Sequence, residues 1–267
     1  MADSVAPSTR HTFYGVVVTR AASFAPVDVV ARTLRVELTA ARSRRDGAAP
    51  RVLDVGGGSG TWAVPLAADG CEVTVVDSSA NALAVLQSRA RDAGVAAGVR
   101  AVQGDVDALA DAVADADADL VLGHGLLEYV DDPPEACRAL AAAAMPGGAV
   151  SLLVAVRFAA VLSRVVSGRL TEARRLLVDP RGRWGPDDPL SRRMDVEEIR
   201  TLVEAGGRLT VERVQGHRVL ADLVPDTVLE AGGGPPESLA ELEDIAAGTP
   251  PLRDMASRLH VLARRPA

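Results

Sequence analysis

Residues 51–60 read RVLDVGGGSG: a short apolar run carrying one acid, then four glycines in five positions. The run predicts a buried strand, RVLDV (51–55), and the glycines predict an unusual connection at its end. Glycine loses more backbone entropy on ordering than any other residue, so a cluster of it marks a very tight turn or a backbone that something must approach closely.

The chain downstream repeats one pattern. TWAVPLAA (61–68) reads as helix and CEVTVVD (71–77) as a second strand. Ser79 caps a helix ending near Gly94, and VRAVQGD (99–105) is a third strand. DLVLGHG (119–125) is the fourth. Asp132 and Pro133 open a helix as N-cap and first helical residue, PGG (146–148) closes it, and AVSLLVAV (149–156) is the fifth strand. Asp195 caps another helix, RLTVERV (208–214) starts a sixth strand continuing towards Leu223, and SRLHVLARR (257–265) is a seventh. Strands alternating with helices at this spacing predict right-handed crossovers and a mostly parallel, Rossmann-like seven-stranded sheet with helices on both faces. The short link between strands six and seven predicts an antiparallel pair at the sheet edge. Upstream, a helix over 26–45 buries Val30, Leu34 and Leu38, and residues 1–50 are expected to form a helical lid over a domain spanning 51–267.

Composition bounds the function. With 267 residues and 48% hydrophobic content, the chain has ample material for a large core. Net charge is −7, which argues against a general nucleic-acid coat. Every basic residue is arginine. Nine arginines but only four acids lie between Arg157 and Arg193, so this insert is locally basic on an acidic chain. Such a segment is a candidate for meeting phosphates, although Phe158 and Trp184 offer little stacking surface. Two cysteines without CxxC spacing fit a reducing cytoplasm, and no run approaches the roughly 20 apolar residues of a membrane span. No metal is expected. The four histidines are scattered, and the acidic run DALADAVADADAD (107–119) lacks the glycine and glutamate of a calcium loop.

In an open α/β sheet, ligands bind at the carboxyl ends of the strands where strand order reverses. The glycine loop predicts that place here, and two cofactors compete for it. GSGTWA (58–63) satisfies the GxGxxA dinucleotide pattern, with Asp77 where a ribose-binding acid belongs. The alternative is S-adenosylmethionine. Asp54-Val-Gly56-Gly57-Gly58-Ser59-Gly60 resembles the acidic-x-G-x-G-x-G loop of class I methyltransferases. Asp77 ends strand two, like the acid that grips the ribose in that family. Asp105, preceded by Gly104, ends strand three, where the family's polar residue meets adenine. A nicotinamide enzyme needs neither Asp54 nor Asp105, so the methyltransferase reading is preferred. Ser78 and Val106, flanking these acids, join the expected cofactor shell, as does His124 after strand four.

GHGLLEYVDDP (123–133), VEAGGRLTVERVQGHRVLADL (203–223), LAELEDI (239–245) and SRLHVLARRP (257–266) extend the similarity to the tRNA 5-carboxymethoxyuridine methyltransferase family. The resemblance implies methyl esterification of a carboxylate on a modified wobble uridine in the cytoplasm. Arg20, Tyr129 and Arg157 are the candidate acceptor contacts. A carboxylate needs no general base, and the sequence shows neither an NPPY motif nor a recognisable His-Asp dyad. The alternatives are a small, carboxylate-bearing metabolite as acceptor, or a protein that binds S-adenosylmethionine without turnover.

Overall fold

The computed structural model describes residues 28–112, 117–224 and 237–267. Seven strands form one sheet: β1 (Arg51–Val55), β2 (Glu72–Asp77), β3 (Val99–Gln103), β4 (Ala118–His124), β5 (Ala144–Ala155), β6 (Thr210–His217) and β7 (Arg258–Arg264). Their order is β3-β2-β1-β4-β5-β7-β6. The first five run parallel, and β7 lies antiparallel to both β5 and β6. The expected antiparallel pair therefore sits at the sheet edge, with β7 inside and β6 outermost. Strand order reverses between β1 and β4, so the ligand crevice of such a sheet opens above their carboxyl ends.

Alternation along each strand builds two cores. Leu53, Val121, Val150 and Val261 point to one face, where they meet Leu140 of α5 (Pro133–Ala143) and Ile199 of α8 (Val196–Glu204). Val52, Leu120 and Leu262 point to the other, against Leu34 of α1 (Val29–Arg44), Leu66 of α2 (Ala63–Ala68) and Leu86 of α3 (Ala80–Asp92). Each fully buried leucine contributes about 1.5–3 kcal/mol relative to exposure. Among the described residues the remaining α-helices are α4 (Leu109–Ala112), α6 (Arg157–Val166), α7 (Leu170–Val178) and α9 (Glu237–Gly248).

The helix starts arise from side chains read in the sequence. Ser79 accepts the Ala82 amide, Asp132 accepts the Glu135 amide, and Asp195 forms a capping box with Glu198. Asp28 does the same for α1, accepting the amides of Val30 and Ala31.

Three expectations need correction. The helix over 29–44 is no separate lid. Val30, Leu34 and Leu38 are sealed into the same core as β1, β2, α2 and α3; residues 1–27 lie outside the described residues. PGG does not end α5. The helix stops at Ala143, where Arg265 covers the carbonyls of Ala141, Ala142 and Ala144, and β5 begins at once. Met145 to Gly148 instead bulge out of the β4–β5 ladder, whose register jumps from Ala118↔Ala144 to Leu120↔Ala149. A bulge is where a strand tolerates Pro146, which has no amide to donate. Finally, β6 ends at His217 rather than continuing, because Arg218 turns the chain with φ 57°.

The insert is a helical hairpin, α6 and α7, followed by a loop folded on its own charges. Arg164 and Arg169 pair with Glu172 and lie over the Trp184 ring at 5.2 and 5.8 Å. Buried Arg193 pairs with buried Asp188 at 2.7 Å. Arg174, Arg175 and Arg181 stay exposed, so the basic surface is narrower than the sequence count implies. Among the described residues no helix is long and apolar enough to cross a membrane, and no three metal-ligating side chains come together.

Candidate functional site

The glycine loop joins β1 to α2 at the reversal point of the sheet. Its geometry is dictated by two neighbours. A Cβ on Gly57 would stand 2.5 Å from the Asp54 carboxylate, and one on Gly60, whose φ is +79°, would stand 2.3 Å from Leu86 Cδ1. The first glycine makes room for the acid; the second lets the loop settle on α3. Gly56 and Gly58 also hold positive φ, and the Gly56 amide donates to the Val76 carbonyl at 2.7 Å, laying the loop along the end of β2.

Asp54 is 1% exposed, and its Oδ2 has no hydrogen-bond partner. Burial, reinforced by the nearby Asp77 charge, pushes its carboxyl up to about 7. An orphaned buried carboxyl is costly unless something cationic or donating completes it. Asp77, at the end of β2, accepts the Gly58 amide on Oδ2 and the Ser79 amide on Oδ1, both at 2.8 Å. Each oxygen has a further lone pair to offer. Ser78 beside it is exposed. After β3, the Gly104 amide donates to the Asp77 carbonyl at 3.2 Å, the Asp105 side chain is exposed, and Val106 is buried. His124 ends β4. The structure thus gathers these candidates at the carboxyl ends of four neighbouring strands, β3, β2, β1 and β4.

His124 is the visible end of something the sequence reading missed. Its Nε2 lies 2.8 Å from Ser151 Oγ, which lies 2.8 Å from His260 Nε2; Gln215 Nε2 lies 3.1 Å from His260 Nδ1 and also donates to Val29 O and Thr33 Oγ1. One polar chain crosses β4, β5, β7 and β6 beneath α1. Trp62 packs edge-on against His124 at 4.8 Å. Burial, then the neighbouring His260 and His217, hold His124 well below the ordinary imidazole range, and burial takes His260 down to about 3. Both rings are neutral at pH 7.

The acceptor candidates separate. Tyr129 is 60% exposed in the turn after β4. Arg157 is not available at the mouth: its guanidinium pairs with Glu198 at 2.7 Å and donates to the carbonyls of Asp179 and Pro180, tying the insert to α8. Arg20 lies outside the described residues. Two residues not anticipated stand nearby. Glu128, 2% exposed, accepts the Ala155 amide at 2.7 Å and holds Arg258 at 3.2 Å. Arg258 opens β7 opposite Ala155, at the same end of the sheet as His124.

The comparisons with known proteins agree with this geometry. Residues 52–148, from β1 into the β5 bulge, match a family described as "Methyltransferase domain". The tRNA 5-carboxymethoxyuridine methyltransferase of Escherichia coli is 30% identical over 217 residues, covering 81% of this chain and 80% of that protein. The ubiquinone biosynthesis O-methyltransferase of Bordetella bronchiseptica is 38% identical over 98 residues, 37% of this chain and 39% of that protein. A solved S-adenosylmethionine-dependent methyltransferase from Mesorhizobium loti shares the fold, with a TM-score of 0.57 and 22% identity over 88% of this chain and 96% of that one. A nicotinamide cofactor is set aside, and the orphaned Asp54 carboxyl beside a glycine cradle fits one with a cationic amine. This chain belongs to the class I S-adenosylmethionine-dependent methyltransferases.

Proposed function

We propose that this enzyme forms a methyl ester on a carboxylate carried by a modified tRNA wobble uridine in the cytoplasm. The observation that carries the reading is the state of His124, the imidazole at the mouth. It is a weakened base, and its Nε2 is already engaged by Ser151. A phenol or amine acceptor gives up a proton and calls for a base of suitable pKa within reach. An ionised carboxylate does not. The similarity to the E. coli tRNA enzyme along most of the chain supports the same choice, whereas the ubiquinone enzyme is similar over a segment of 98 residues only.

In this reading Asp77 takes the ribose hydroxyls on its remaining lone pairs, Asp105 meets the adenine amino group, and Asp54 receives the methionine ammonium. The loop from Gly56 to Gly60 supplies bare backbone, with Ser78, Gly104, Val106 and His124 completing the enclosure. Bound there, S-adenosylmethionine would supply an electrophilic methyl group for the carboxylate oxygen, chemistry that asks no proton transfer of the protein. The protein's part is to align the acceptor and exclude water. In the same reading the exposed arginines of the insert, Arg174, Arg175 and Arg181, meet phosphates, and the exposed Tyr129 meets the acceptor.

The test is methyl transfer from labelled S-adenosylmethionine to bulk tRNA and, in parallel, to a low-molecular-weight extract. Label in tRNA that mild alkali releases is the expected result. Label confined to small molecules rules out the tRNA reading.

A further inference from the structure

The carboxylate reading leaves open what holds the anion: of the two arginines expected to do so, Arg157 is committed elsewhere and Arg20 lies outside the described residues. We infer that Arg258 is the anion seat of the methyl acceptor, a guanidinium fixed on one side by Glu128 and offering its other donors to a carboxylate beside Gly125 and His124. The inference rests on the acceptor being a carboxylate, and it names a residue from the far end of the chain.

Placement comes first. Arg258 pairs with Ala155 in the β5–β7 ladder, two residues beyond Leu153, which is opposite His124 in the β4–β5 ladder. Its side chain reaches over the β4 exit: a Cβ on Gly125 would stand 3.5 Å from Arg258 Nη1. Gly125 itself is pinned there by donating to the Leu153 carbonyl at 2.8 Å. The guanidinium is therefore at the mouth, next to the histidine that lines it.

Availability comes second. A guanidinium has five N–H donors in a planar fork. Among the described residues, Arg258 has one hydrogen-bond partner, Glu128 Oε1 at 3.2 Å, and its side chain is 41% exposed. Glu128 is the opposite case, with a side chain 3% exposed and Oε1 divided between Arg258 and the Ala155 amide. Such a carboxylate positions the arginine without saturating it. The neighbouring arginine, Arg192, uses Nη1 to hold the carbonyls of Leu127 and Val130, which braces the loop that carries Glu128. The planar fork of the guanidinium can match both oxygens of a carboxylate and orient it.

The experiment compares wild type, Arg258→Gln and Arg258→Lys in three measurements. These are S-adenosylmethionine affinity by calorimetry, binding of 5-carboxymethoxyuridine nucleoside against its neutral methyl ester, and acceptor KM. Arg258→Gln is expected to keep S-adenosylmethionine affinity within about twofold, while Kd for the free acid and acceptor KM rise about 10- to 100-fold. The ester should bind both proteins alike, and Arg258→Lys should fall between. Unchanged binding of the acid by Arg258→Gln overturns the inference. If circular dichroism shows Arg258→Gln unfolded, Arg258→Lys decides: weaker acid binding supports the seat, wild-type binding overturns it. If wild type labels no tRNA but forms an alkali-labile ester on a small acid, the wobble-uridine reading fails alone, and the same comparison with that acid judges Arg258. An alkali-stable methylated product overturns both.

Discussion

The amide of Gly58 donates to Asp77 Oδ2 at 2.8 Å, tying the glycine loop after β1 to the end of β2. Asp77 thereby shapes the loop and keeps lone pairs for a ligand. Asp77→Ala should weaken S-adenosylmethionine binding by more than the tenfold of a single neutral hydrogen bond, because charge-assisted bonds and loop geometry go together. Asp77→Asn, which retains one acceptor oxygen, should lose less. Titration calorimetry reads both, and wild-type affinity in Asp77→Ala would remove the acid from the site.

Asp54 gives the binding a pH signature. Its carboxyl is raised to about 7 from 3.8, so the form able to receive an ammonium disappears as pH falls. Affinity should drop by up to about tenfold for each pH unit below 7. Asp54→Asn should flatten that dependence while binding weakly throughout. A wild-type profile flat from pH 7 to pH 5.5 would show that Asp54 does not meet the ammonium.

Ser151 links the half-buried His124 ring to the buried His260 ring, and Ser151→Ala leaves both Nε2 atoms without a partner. Urea unfolding should show a loss of about 1–3 kcal/mol. The same chain sets an acid limit. His260 stays neutral in the fold down to about pH 3, whereas in the unfolded chain it protonates near pH 6.5. Its contribution is therefore intact above 6.5 and is lost as pH falls from there towards 3. His260→Asn should flatten that slope.

Gly60→Ala brings a Cβ to 2.3 Å from Leu86 Cδ1 at a φ of +79°. Overpacking of about 1–3 kcal/mol and left-handed strain of about 1–2 kcal/mol should add, lowering Tm by several degrees. Gly57→Ala, whose Cβ would press on the Asp54 carboxylate, should instead show its main effect on cofactor affinity. Thermal melts and calorimetry on the two variants separate the effects.

The parts of this molecule that could be read in the sequence are those whose cause is local. Alternating strands, the caps at Ser79, Asp132 and Asp195, and the acids ending β2 and β3 each announce themselves within a few residues. The loop was legible because Asp54 and the glycines it needs are neighbours. The polar chain was not, since Ser151 and His260 are 109 residues apart and meet only because β7 inserts beside β5. Arg258 escaped for the same reason: it heads a strand inside SRLHVLARRP (257–266), where nothing local points to the mouth, and only the ladder brings it to Gly125. Arg157 misled because its position after β5 faces the mouth on paper, while Glu198 and two carbonyls claim its guanidinium. The bulge at Pro146 shows a third limit, where a breaker reads as a stop but the ladder resumes past it.

The placement of β7 also dictates an order of events during synthesis. After β1, each strand from β2 to β5 can find a neighbour already made as the chain leaves the ribosome, but β6 pairs with β7 alone and must wait for it. A nascent chain that has released β6 carries two unsatisfied margins, β5 and the solitary β6, until the last strand slides between them and zips both at once. Arg258 arrives with that last strand, so a chain halted just short of β7 can present its glycine loop and yet lack the guanidinium proposed to seat the acceptor.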